Sequence, residues 1–185
     1  MTCIVAYFDR ENDCVYMGGD SAGSSNYDVR IRKDPKVFKN GEFMIGFTTS
    51  FRMGQLLMAP FDDLFPQKES EKDYDYLVNS FIPNIQKRFK EHSFTKVKNE
   101  VHEGGTFILV YRNKIYEIED DFQVSEYYDD FDSVGCGSPY ALGALKALQG
   151  INMAVKLKVE MALEIAAYFS GGVSAPFNVI SNKNE

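Results

Sequence analysis

Segments of strand character and segments of helix character come in blocks along this 185-residue chain, and they do not alternate one by one. Thr2 to Phe8 is β-rich, Asp9 to Asp13 reads as a turn, and Cys14 to Gly18 reads as the returning strand of a hairpin. Gly19 to Tyr27, rich in Gly, Ser and Asn, predicts a loop. Phe43 to Phe47 is a further apolar strand after the turn Lys39 to Glu42, and strand character ends near Thr48. Two helical stretches follow, Thr49 to Phe61 and one opened by Ser70 as N-cap with Asp73 in its first turn. In the second, Leu77, Phe81, Ile85 and Phe89 recur every four residues, and Pro83 should kink or split it. Strands return at Thr106 to Tyr111, Lys114 to Ile118, Gln123 to Tyr127 and Phe131 to Val134. Ser138-Pro139 reads as the N-cap of a helix running to Gly150, and Met153 to Phe169 as another. Ser170-Gly171-Gly172 breaks that helix, and Phe177 to Ile180 is a closing strand. Blocks of hairpin-linked strands between helix pairs predict an α+β sandwich of antiparallel sheets with helices outside, and disfavour a doubly wound parallel sheet.

A chain of this length, 44% hydrophobic and 25% charged, is expected to form one domain over residues 1–185, with a core that needs no disulfide or metal. Its net charge of −7 argues against binding to nucleic acid or an anionic membrane surface. No apolar run reaches the ~18 residues of a membrane span. The start, Met1 to Val5 followed by Asp9, Arg10 and Glu11, is unlike a signal peptide, so a cytoplasmic location is expected. Cys3, Cys14 and Cys136 are irregularly spaced, like neither a disulfide framework nor a zinc site. His92 and His102 are isolated. Glu117 to Asp132 holds eight acidic residues and no Lys or Arg, without the register of a calcium loop; it reads as a solvated sheet edge that resists edge pairing. Gly18-Gly19 and Gly135-Cys136-Gly137 lack the spacing of phosphate loops and read as tight turns. No metal or organic cofactor is expected.

A histidine base is poorly provided for, which disfavours Ser-His-Asp and Cys-His chemistry. One nucleophile needs no histidine. A threonine at a free N-terminus uses its own α-amine, with an ordinary pKa of about 7.7–8.0, as general base. Thr2 follows Met1, and a small second residue is what removal of the initiator methionine requires.

The surroundings of Thr2 carry a family likeness. Thr2-Cys3-Ile4-Val5-Ala6, Gly18-Gly19-Asp20-Ser21-Ala22, Pro35-Lys36-Val37-Phe38 and Met44-Ile45-Gly46-Phe47 resemble the first half of a proteasome β subunit or of the bacterial proteasome-like peptidase HslV. Val134 to Gly143 resembles the family's Gly-Ser-Gly turn and following helix, and Ser170-Gly171-Gly172 another of its signatures. The resemblance spans nearly the whole chain in order. It implies a four-layer αββα sandwich, the fold of N-terminal-nucleophile hydrolases, with two antiparallel sheets. It further implies a threonine peptidase or amide hydrolase that assembles with copies of itself in a ring or related arrangement and acts on peptide or unfolded-protein substrate, with room for an ATPase partner.

By position, Thr2 resembles the nucleophile, Asp20 the conserved acid, Lys36 the basic partner and Gly46 the glycine whose N–H stabilises the oxyanion. Cys136 stands where the family has serine, Ala167 stands where proteasomes have an aspartate, and Ser170 is retained as an amine contact. Two other readings stand beside this one. A scaffold that keeps the fold and retains Met1 would be inactive, and a small-amide hydrolase could use Cys3 if both Met1 and Thr2 were removed.

Overall fold

The computed structural model describes residues 1–25, 28–61, 66–98 and 101–183. Two antiparallel sheets face each other. The first has four strands in the order β12-β1-β2-β13, where β1 is Ile4–Asp9, β2 Cys14–Gly19, β12 Phe131–Val134 and β13 Asn178–Ser181. The second has five, β11-β10-β9-β6-β5, with β5 Val37–Asn40, β6 Phe43–Phe47, β9 Phe107–Tyr111, β10 Lys114–Ile118 and β11 Val124–Ser125.

Side-chain alternation builds the layers. Along β1, Ile4 and Ala6 point between the sheets, while Cys3, Val5 and Tyr7 point to the opposite face. Along β6, Met44 points between the sheets, and Phe43, Ile45 and Phe47 point away. With both faces of each sheet apolar, each outer face must be covered. Helices α4 (Ser138–Leu148) and α5 (Val155–Phe169) cover the four-stranded sheet through Ala141, Leu145, Val159 and Leu163. Helices α1 (Phe51–Met58), α2 (Asp73–Tyr76) and α3 (Ile82–Glu91) cover the five-stranded sheet through Met53, Leu57, Tyr76 and Phe89. The result is the expected four-layer αββα sandwich.

Several local expectations need correction. Ala22–Ser25 is a strand, β3, paired with β4 (Asp28–Ile31) in a hairpin, where Gly19 to Tyr27 reads as loop; residues 26 and 27 lie outside the described residues. All four residues of β4 are exposed, so no alternation marks it. A second small hairpin joins β7 (Lys96–Lys98) to β8 (Val101–Glu103). The Pro83 expectation resolves as a wide π-type turn over Leu77–Phe81 between α2 and α3, just before the residue that has no N–H to donate. Ser70 does not cap α2, whose N-cap is Lys72. Gly137 occupies the N-cap of α4, and the Ser138 hydroxyl donates instead to Ser133 O at 2.6 Å. Among the described residues no helix is long and apolar enough to cross a membrane.

Candidate active site

Thr2 lies just before β1, and the β1–β2 pairing that sets Ile4 opposite Gly19 brings Asp20 beside it. Asp20 is fully buried and well bonded. Its Oδ1 accepts from Cys3 N at 3.0 Å and its Oδ2 from Ala22 N at 2.9 Å and Ser174 N at 3.4 Å. Lys36 enters from the other sheet, at the foot of β5, and is also buried. Its Nζ lies 2.9 Å from Thr2 Oγ and 2.9 Å from Asp20 Oδ1. Thr2 is itself only 5% exposed. Three residues separated by up to 34 positions therefore meet with their polar atoms in contact.

Burial pulls Lys36 below the ordinary lysine value, while the charge and hydrogen bond of Asp20 pull it back up. The ion pair thus supplies the compensation that a buried ammonium needs. Phe51 closes this end, with Lys36 Nζ 5.7 Å and the Arg32 guanidinium 3.8 Å from its ring centroid.

The turn after β12 holds the Thr2 backbone. Gly135 has φ +100°, and a Cβ there would sit 2.3 Å from Thr2 O, so the close approach requires glycine. Gly137 N donates to Thr2 O at 3.2 Å. Thr2 N donates to Cys136 Sγ at 3.3 Å, and Cys136 Sγ lies 3.4 Å from Ser170 Oγ at the C-cap of α5. Cys136 thus meets the Thr2 nitrogen directly, and Ser170 reaches it only through the Cys136 thiol. Ala167 supplies no carboxylate, and Asp20 is the acid of the cluster.

Of the candidate residues only Thr2 and Lys36 line the cleft itself, and Gly46 lies one residue before its wall. It sits in β6 between Val37 and Ile108, and a Cβ would lie 2.4 Å from Ile4 Cγ2. Its glycine character answers to sheet-to-sheet packing. The cleft wall is formed one residue further on, by Phe47, Thr48, Thr49, Ser50 and Phe51, together with Ser24 of β3. Phe47 N donates to Lys36 O and Thr48 N to Thr106 O. Thr49 has φ +60°, which is strained for a β-branched residue, and its Oγ accepts from Thr106 N. Nothing in the sequence singles out Thr49; only the Thr-Thr-Ser run before α1 hints at a special turn.

The Cys3 alternative is not supported. Cys3 lies on the α4–α5 side of β1, its Sγ 3.8 Å from Ser133 Oγ, and burial pushes the thiol up to about 12. Among the described residues no group of three His, Cys, Asp or Glu could hold a metal ion.

The cleft at Thr2 is small, about 70 Å³. Larger cavities of about 730 and 510 Å³ lie elsewhere, the former at the opposite end of β1 around Tyr7 to Asn12. The site is assigned by the Thr2–Lys36–Asp20 geometry and not by cavity size. Met1 fills one side of the small cleft, packed on Gly172 with its carbonyl accepting from Thr2 Oγ at 2.5 Å.

Sequence comparison finds no matching family model and no matching curated protein. Structural comparison finds the same fold in solved proteins. BPH of Thiobacillus denitrificans, in complex with epoxomicin, superposes with a TM-score of 0.80 at 16% identity, covering 97% of each chain. HslV from Trypanosoma brucei superposes at 0.70 with 18% identity, covering 97% of this chain and 98% of the other. An Anbu (Gly-1) mutant from Hyphomicrobium sp. strain MC1 gives 0.68 at 12% identity, covering 97% and 80%. The chain thus shares the fold of these three proteins.

Proposed function

We propose that this protein is a threonine-type peptidase or amide hydrolase whose nucleophile is Thr2 after removal of Met1. The observation that carries the reading is the Lys36 ammonium at 2.9 Å from Thr2 Oγ, itself held by Asp20. A cation at that range lowers the cost of forming the alkoxide. The freed Thr2 amine takes the hydroxyl proton directly or through one water. Oγ then attacks the peptide carbonyl carbon, and the amine returns the proton to the leaving nitrogen. Water hydrolyses the resulting ester by the same proton route and regenerates Thr2. Cys136 Sγ and Ser170 Oγ orient the amine during both halves. We assign the oxyanion donor to the Thr49 N–H, because the N–H groups of Phe47 and Thr48 already donate to Lys36 O and Thr106 O, and Gly46 lies within β6.

The substrates are peptides or unfolded polypeptides, the protein works in the cytoplasm, and copies of the chain associate. With Met1 in place the Thr2 nitrogen is an amide and cannot serve as base. The Met1 carbonyl also occupies the Thr2 hydroxyl and lies 3.5 Å from Lys36 Nζ. That observation favours a second reading, an inactive scaffold, for any form that keeps Met1. Turnover of a fluorogenic peptide panel by wild type and Thr2→Ala decides between them. Hydrolysis by wild type alone supports the peptidase; equal rates in both exclude Thr2.

A further inference from the structure

The two open edges of the sandwich carry opposite charge. On one side the edge strands β5 and β13 pack together, and on the other β11 and β12 end their sheets. Beside β5 and β13 lies a cleft of about 510 Å³ with Tyr16 and Ile180 in its wall and Lys39, Lys156 and Lys183 around it. Among the described residues none of these lysines has a carboxylate partner. Lys39 Nζ donates to Lys183 O at 3.1 Å, and Lys183 Nζ donates to Asn12 O. In a chain of net charge −7, three lysines around one cleft with no carboxylate partner among the described residues are a local reversal of sign.

The opposite edge is acidic. Asp129 and Asp130 are paired with Lys146 and Arg10, but Asp120, Asp121 and Glu126 have no ion pair among the described residues. Between β11 and β12 the Tyr128 ring is 109% exposed, with Tyr127 beside it at 52%. A tyrosine held fully in water next to these carboxylates has the form of an interface anchor, since an aromatic body with a polar tip gains most from a half-polar pocket.

We propose that Tyr128 and the acidic edge of one copy dock into the lysine-rimmed cleft beside β5 and β13 of a second copy. The lysine stems and Ile180 offer apolar contact to the ring, and the ammonium groups meet Glu126 and its neighbours. The two surfaces differ, so the contact is head-to-tail, and its repetition closes a ring or extends a filament. This rests on the self-association proposed above and assigns the surfaces that make it.

The test is sedimentation velocity on the full chain, at low and high salt, for wild type, Tyr128→Ala with Glu126→Gln, and Lys39→Glu with Lys156→Glu. Every substitution is on an exposed side chain, and far-UV circular dichroism checks the fold. Wild type should form an oligomer that weakens in high salt, and each variant alone should sediment as monomer. An equimolar mixture of the two variants should give dimers and nothing larger, because each contributes one intact face. Variants that remain as oligomeric as wild type, or an oligomer indifferent to salt, overturn the edge assignment while self-association stands. A mixture that stays monomeric overturns head-to-tail pairing, and a monomeric wild type removes self-association itself.

Discussion

The Cys136 thiol accepts a hydrogen bond from the Thr2 nitrogen at 3.3 Å, placing a soft, oxidisable acceptor on the group that must act as base. Cys136 is exposed, whereas Cys3 and Cys14 are buried. A thiol reagent applied to the native protein should therefore modify Cys136 first and reduce peptidase activity by about 10²-fold, the scale of an interrupted general base. Cys136→Ser should keep activity, because a hydroxyl is an equal or better acceptor, and should be immune to the reagent. Mass mapping with parallel rate measurements checks this; full activity after stoichiometric Cys136 modification would remove the thiol from the amine's surroundings.

Lys36 and Thr2 should separate chemistry from stability. Thr2→Ala removes the nucleophile but leaves Lys36 paired with Asp20, so activity is lost at a cost of about 1 kcal/mol for the missing hydrogen bond. Lys36→Met removes the activating cation, costing at least about 10²-fold in rate, and also strands the buried Asp20 carboxylate. That loss should be about 3–5 kcal/mol in urea unfolding. Equal stability of the two variants would mean that Asp20 does not depend on Lys36.

Asp132 is buried in β12, with Ser133 N bonded to Oδ1 at 2.7 Å and no partner for Oδ2. Burial, with the nearby charge of Glu117, pushes it up to about 7 from the ordinary 3.8. A raised acid pKa means that the folded state holds the proton more tightly than the unfolded state. Its contribution to stability is present at low pH and is lost as pH rises from about 4 through 7. Asp132→Asn should flatten this slope and be more stable than wild type at pH 8 by about 2 kcal/mol, since the new amide hydrogens also lack partners. Parallel stability curves for the two proteins across that window would contradict the assignment.

Two glycine-to-alanine changes should act in opposite directions. Gly46→Ala drives a methyl to 2.4 Å from Ile4 Cγ2 between two packed sheets and should cost about 1–3 kcal/mol. Gly143→Ala, inside α4 with nothing within 4 Å of the new methyl, should gain about 0.5–1 kcal/mol. Thermal unfolding of both variants measures the contrast, and a neutral Gly46→Ala would mean that the sheets separate easily at that point.

The layers were legible because β1 and β6 are apolar nearly throughout, which requires cover on both faces of each sheet, and because the four-residue rhythm of Leu77 to Phe89 reports the apolar face of the covering helix. The meeting of Thr2, Asp20 and Lys36 was legible only through family resemblance, since residues this far apart have no local signal joining them. Gly46 shows the limit of that route. The glycine was found, but its reason lies in Ile4 on the facing sheet. The β3–β4 hairpin was hidden because β4 is exposed along its length, so its pairing leaves no hydrophobic pattern. Thr49 was hidden because its left-handed backbone is set by contact with Thr106 across the cleft wall and not by residue type.

The most direct test of the central claim is intact-mass analysis of the protein from a cytosol competent in methionine aminopeptidase, before and after reaction with a threonine-directed covalent inhibitor, followed by peptide mapping. The expected result is loss of one methionine residue, one adduct mapped to Thr2 on the processed chain only, and peptide hydrolysis confined to that unlabelled processed form. Peptide cleavage by protein that retains Met1, or an adduct on any residue other than Thr2, would contradict it.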